Sequence, residues 1–167
     1  MTIPEAEILV GIAALGLTVT GFSGLISVLG RRSAGHWTEA ERFQLGQLIT
    51  LSLAVTFASF VPLLVGMLLD GQKALTTATG LVALFHLLIL VQGVTKNYRY
   101  GRLAAVMPVG ITLFMVVGGF CLIAAGFMSI FGMLGGAAFL LVSNLLWQLM
   151  VAIVHFVYLL MGADSPE

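Results

Sequence analysis

The sequence predicts an all-α fold: a polytopic transmembrane bundle of about five membrane-spanning helices, forming one domain over residues 1–167. Composition is the first reason, with 60% hydrophobic residues and 8% charged against roughly a quarter charged in a soluble domain. Placement is the second. The charged residues gather at the termini and in short segments between apolar runs, each long enough to cross about 30 Å of hydrocarbon. The third is the stretch from Leu103 to Met161, which carries no charge and is too long for a single crossing, so it must fold back on itself.

The first helix is expected over about residues 4–30. Pro4 suits a first helical position, and Glu5 and Glu7 complement the positive end of the helix dipole. This start is acidic where a secretory leader would be basic, so the segment is read as a retained helix. Gly30-Arg31-Arg32 stops it, and a polar turn containing His36 and Trp37 follows. Thr38 and Glu41 have capping-box spacing and start a second helix over about residues 39–69. At roughly 46 Å this helix exceeds the hydrocarbon core, so its first turns, with Arg42, Gln44 and Gln47, are expected among headgroups or in water. Pro62 should kink it.

Asp70-Gly71-Gln72-Lys73 makes the next turn, and a third helix is expected over about residues 74–95. The fourth and fifth are placed at about residues 108–129 and 137–161, on either side of Gly132, Gly135 and Gly136, the best breaker cluster in the uncharged stretch.

With five crossings, Arg31, Arg32, Arg42, Lys96, Arg99 and Arg102 share one side and Lys73 takes the other. The positive-inside rule then puts the N-terminus outside and the C-terminus in the cytoplasm. Trp37, Tyr98 and Tyr100 join the basic side, where amphipathic rings anchor helices at headgroup level. The same basic residues can meet anionic lipid or a docking partner, although ordinary topogenic charge explains them.

Helices in lipid associate through close packing of small residues and a few buried hydrogen bonds. Gly11, Ala14, Thr18 and Gly21 form such a stripe on the first helix. Ser52, Thr56, Ser59 and Gly66 form one on the second, and Gly118, Gly119, Ala125 and Gly126 are candidates on the fourth. Cys121 lies inside an apolar run and is read as a small hydrophobe.

A net charge of zero argues against nucleic acid as a partner. No Asp, Glu, Lys or Arg falls mid-helix, which disfavours an ion-coupled pump. No catalytic or metal-ligating set stands out, so no enzyme activity is expected. The remaining polar groups are His86 on the third helix and Asn144, Gln148 and His155, which share one face of the fifth. In the first reading the histidines bond across the bundle, to Asn144, Gln148 or the hydroxyls of the second helix. A second makes them part of a polar path. A third makes them the two axial ligands of a haem b, because counting back from the shared basic end separates them by only about 4–5 Å in depth.

The functional expectation is a small non-enzymatic multi-pass protein of a bacterial-type cytoplasmic (inner) membrane, acting through helix packing as a homo-oligomer or as an accessory subunit of a larger complex among membrane lipids. A passive channel or carrier using His86, Asn144, Gln148 and His155 is the alternative.

Overall fold

The computed structural model describes residues 3–29, 38–100 and 107–161. These form five α-helices: α1 (Ile3–Leu29), α2 (Glu39–Gly66), α3 (Gly71–Tyr100), α4 (Val109–Ile130) and α5 (Ala137–Met161). All five contain a span long and apolar enough to cross a membrane, and the chain is a multi-pass membrane protein.

Local chemistry sets the ends. Thr38 caps α2 reciprocally: its hydroxyl accepts from the Glu41 N–H at 3.3 Å, and its own N–H donates to Glu41 Oε2 at 2.9 Å. The helix runs through Pro62 and ends at Gly66, short of Leu69, where the Met67 and Leu68 N–H groups tighten onto the carbonyls three residues back, Leu64 at 3.2 Å and Val65 at 3.0 Å. At the end of α4, Gly132 adopts φ +70°, the Met133 N–H reaches the Met128 carbonyl at 3.0 Å and the Gly132 N–H reaches that of Ser129 at 3.1 Å. This is a Schellman closure, and it needs a residue that tolerates the left-handed region.

α2, α3 and α5 form the centre of the bundle. α1 packs against α2 and touches α5, while α4 packs against α3 and α5. Hydrogen bonds fix the directions. Thr79 to Ala137 and His86 to Asn144 span the same offset of 58 residues, so α3 and α5 run parallel and in register. Thr20 bonds Ser52 and Thr56 reaches Ala13, so α1 and α2 are antiparallel. One apolar core joins Leu9 and Ile12 to Val55, Val82, Leu141 and Leu145. A second, nearer the start of α2, joins Leu48, Leu51, Ile89, Ala152 and Leu159. Leu17, Phe22, Phe57, Leu88, Phe114, Val117 and Phe139 point outward, as hydrocarbon allows and water would not.

Two expectations change. Gly11, Ala14, Thr18 and Gly21 do not pack inside the bundle: they lie on the exposed face of α1, with nothing within 4 Å of a Cβ built at Gly11 or Gly21. The buried face is Leu9, Ile12, Ala13, Gly16 and Ser23. A Cβ at Gly16 would stand 2.6 Å from Thr56 Oγ1 and 2.8 Å from the Ser52 carbonyl. The helix is apolar all round, so spacing alone could not choose between two faces that both carry small residues. Gly66 is likewise exposed and open.

Second, Gln44 and Gln47 are buried against protein, at 1% and 9% exposure, and not open to water. α3 continues to Tyr100, beyond its apolar run, and a Cβ at its Gly93 would stand 3.4 Å from Gln47 Oε1.

The α1–α2 contact is testable by reversible unfolding in mixed micelles. Gly16→Ala should cost about 1–3 kcal/mol, because backbone of α2 blocks the methyl. Gly11→Ala and Gly21→Ala should be neutral or stabilising by up to about 1 kcal/mol through helix propensity. Equal losses at all three positions would contradict the packing described.

Candidate functional site

The polar residues divide into two seams. In the first, between α1 and α2, hydroxyls are satisfied locally. Ser52 donates to the Leu48 carbonyl at 2.7 Å and accepts from Thr20 at 2.8 Å. Thr56 donates to the Ser52 carbonyl at 2.9 Å, and Ser59 to that of Val55 at 2.8 Å. Ser52 and Thr56 therefore belong to the α1 contact, and of the partners expected for the histidines it is Asn144 that His86 meets.

The second seam joins α3 to α5. Asn144 Oδ1 lies 2.7 Å from His86 Nδ1 and accepts from Gln148 Nε2 at 3.0 Å. Because the carbonyl oxygen can only accept, the bonded imidazole nitrogen is the one that carries a proton. Asn144, Gln148 and His86 are 2%, 0% and 4% exposed. Gln148 lies one turn beyond Asn144, which is what lets one amide oxygen serve both partners.

From this network a cavity extends between α2, α3, α4 and α5 toward the end of the bundle that bears Arg42 and Lys96. Its walls include Phe43, Leu51, Ile89, Leu90, Met115, Val116 and Val151, and its polar lining is Gln47, His86, Thr112, Trp147, Gln148 and His155. Its volume is about 80 Å³. Among the described residues, no charged side chain lines it. Trp147 is held against α4 by Gly118, where a Cβ would collide with the indole, and its ring meets Phe114 at a centroid distance of 5.1 Å.

Unpaired polar atoms converge here. Among the described residues, the buried side-chain nitrogens and oxygens without a partner are Gln44 Nε2, Thr112 Oγ1, Trp147 Nε1, Gln148 Oε1 and His155 Nδ1. All but the first belong to residues lining the cavity. A buried polar atom left unpaired costs about 1–3 kcal/mol, so the wall of this cavity is where the hydrogen bonding of the bundle is least complete.

The histidines do not converge as haem ligands. The α3–α5 register pairs His86 with Asn144, and His155 lies about 16 Å further along α5 at 1.5 Å per residue. Side chains on parallel helices lean the same way, toward the N-termini, so the offset persists at the imidazoles. The small depth difference expected from sequence came from ending α3 near residue 95. Its continuation to Tyr100 removes that coincidence.

The remaining candidates take other places. Gly119 and Gly126 pack onto α3, a Cβ at the first standing 3.5 Å from His86 Nε2 and at the second 2.9 Å from Ala83 Cβ. Lys96 is exposed and Arg99 lies on the last turn of α3, while Arg31, Arg32 and Arg102 fall outside the described residues. Cys121 is exposed on α4. Sequence reasoning missed Trp147, Thr112 and Gln47. Gln47 carried a signal, since Gln44, Gln47, Leu48 and Leu51 follow helical spacing along one face. Trp147 and Thr112 carried none, because only the approach of α4 to α5 gives them a common space.

No protein-family model, curated protein or solved structure matches this chain.

Asn144→Leu should strand His86 and Gln148 together and cost about 1–3 kcal/mol, whereas Thr20→Val should cost about 0.6 kcal/mol, as for an average interhelical bond in lipid. A double-mutant cycle between His86→Phe and Asn144→Leu should return a coupling of about 0.6–1.7 kcal/mol. Additive losses would show that the two side chains do not interact.

Proposed function

We propose that this chain is a non-enzymatic membrane protein that takes a small polar solute into the α2–α5 cavity and serves as a passive channel or carrier for it. The observation that carries this reading is that Thr112, Trp147, Gln148 and His155, each with an unpaired buried polar atom, all line one cavity. The α1–α2 seam is the contrast, because there hydroxyls act only as packing elements and find carbonyls within reach. An uncharged lining suits passive movement, since coupling to an ion gradient calls for an ionisable group in the path. The membrane is read as a bacterial-type inner membrane. The basic residues are read as cytoplasmic, which places the N-terminus outside and lets the cavity extend toward the cytoplasm.

A second reading has its own observation. The stripe Gly11, Ala14, Thr18 and Gly21 faces outward from α1, where small residues would let a further helix approach closely. Such a contact suits a second copy of this chain or a helix of a larger complex.

Flux decides between them. Proteoliposomes examined by stopped-flow light scattering should take up urea, acetamide or glycerol at least about tenfold faster than protein-free vesicles. Gln148→Leu and His155→Leu should abolish the difference while leaving a folded, monodisperse protein. Vesicles no more permeable than lipid to all three solutes would sink the transport reading and leave the packing one. The orientation has a separate test: a reporter fused after Glu167 should be active in the cytoplasm.

A further inference from the structure

We infer that Asn144 sets the hydrogen-bonding polarity of the cavity, making its inner end a pair of acceptors that select a neutral primary amide or urea-like solute. The inference rests on the cavity being a solute site, as proposed above. It starts from one atom. Asn144 Oδ1 faces both His86 Nδ1, at 2.7 Å, and Gln148 Nε2, at 3.0 Å. An amide oxygen has two lone pairs and no proton, so both partners must donate to it.

Each donation determines what the partner's other end presents. A neutral imidazole protonated at Nδ1 has its free lone pair at Nε2, and His86 Nε2 is directed toward Gly119 of α4, beside the cavity. A Gln148 that spends its NH2 on Asn144 keeps its carbonyl oxygen as a free acceptor on a residue that lines the cavity. That Oε1 is unpaired on a side chain with 0% exposure. The arrangement is all or none. Turning the Asn144 amide end for end would make both partners accept, so His86 Nε2 and Gln148 Nε2 would then offer protons to the cavity. With Oδ1 inward, the cavity offers two acceptors.

The rest of the lining completes the specification. Trp147 Nε1 is a donor without an acceptor, and Thr112 Oγ1 can serve either way. A matching solute presents N–H groups to His86 and Gln148 and a carbonyl to Trp147. Primary amides and urea carry both functions on a small planar frame. Among the described residues no carboxylate lines the cavity, so an ammonium ion would be desolvated there without a counter-charge. Methyl groups of Leu90, Met115, Val116 and Val151 can cover an apolar substituent.

The test reads the tautomer and the selectivity apart from flux. Protein labelled with 15N-histidine is reconstituted in nanodiscs, and His86 is assigned with His36→Gln and His155→Gln variants. The expected ground state has a protonated Nδ1 and an unprotonated Nε2. Acetamide should shift the Nε2 resonance in a saturable way and bind about tenfold or more tightly than N,N-dimethylacetamide, which keeps the carbonyl but has no N–H. Gln148→Met should weaken acetamide by about tenfold. A His86 protonated at Nε2, or equal binding of the two amides, would overturn the inference while leaving the cavity a solute site. Failure of either amide to shift any cavity resonance, the Trp147 indole included, would overturn it together with the solute reading.

Discussion

Inside a lipid bilayer a polar side chain can be answered only by the protein or by what the protein encloses, and the organisation of this bundle follows from that constraint. Hydroxyls meet it cheaply. Thr18, Ser23, Ser59, Thr76, Thr79 and Thr95 all return a bond to a carbonyl one turn earlier on their own helix, so they need no particular neighbour. Amides and imidazoles are too long and carry too many groups for that solution. His86, Asn144 and Gln148 are satisfied only when α3 and α5 lie side by side, parallel and in one register. The bond from Thr79 to Ala137 repeats the register one end further on. These contacts hold together two helices separated in sequence by the whole of α4.

α4 is fitted to this pair by glycine. Toward the turn that joins it to α5 it lies close against α3, with Gly126 beside Ala83 and Ile130 against Gly80. At Gly118 it receives the Trp147 indole, and at Gly119 it passes the His86 imidazole. Nearer the start of α4 the space between it and α3 is occupied by the cavity, bordered by Leu90, Gly93, Thr112, Met115 and Val116. A helix with larger residues at these positions would stand off along its whole length. Toward the turn a second hollow lies between α3 and α4, lined by Gln72, Thr76, Gly80, Phe127 and Ile130.

The cavity has a mixed character that bears on function. Its walls are largely aliphatic and aromatic, and its few polar atoms are neutral and directional. This is the usual composition of a site that recognises an uncharged small molecule by shape and a few hydrogen bonds. The outward stripe on α1 lies apart from it, on a helix that touches α2 and α5 but forms no cavity wall. The two features therefore occupy separate surfaces of the molecule.

Five helices, the Thr38 cap and the glycine break after α4 were legible in the sequence because each depends on neighbours a few residues apart. So was the polar face of α5, since Asn144, Gln148 and His155 follow helical spacing. Faces on helices that are apolar all round were not legible: α1 has two faces with small residues, and only contact with Ser52 and Thr56 selects the one with Gly16. The depth of Gln44 and Gln47, the separation of His86 from His155 and the role of Trp147 were likewise decided by tertiary structure. Each depends on where a different helix ends or how closely it approaches. Periodicity says which residues share a side of one helix, but the partner of that side is set by packing among helices far apart in the chain.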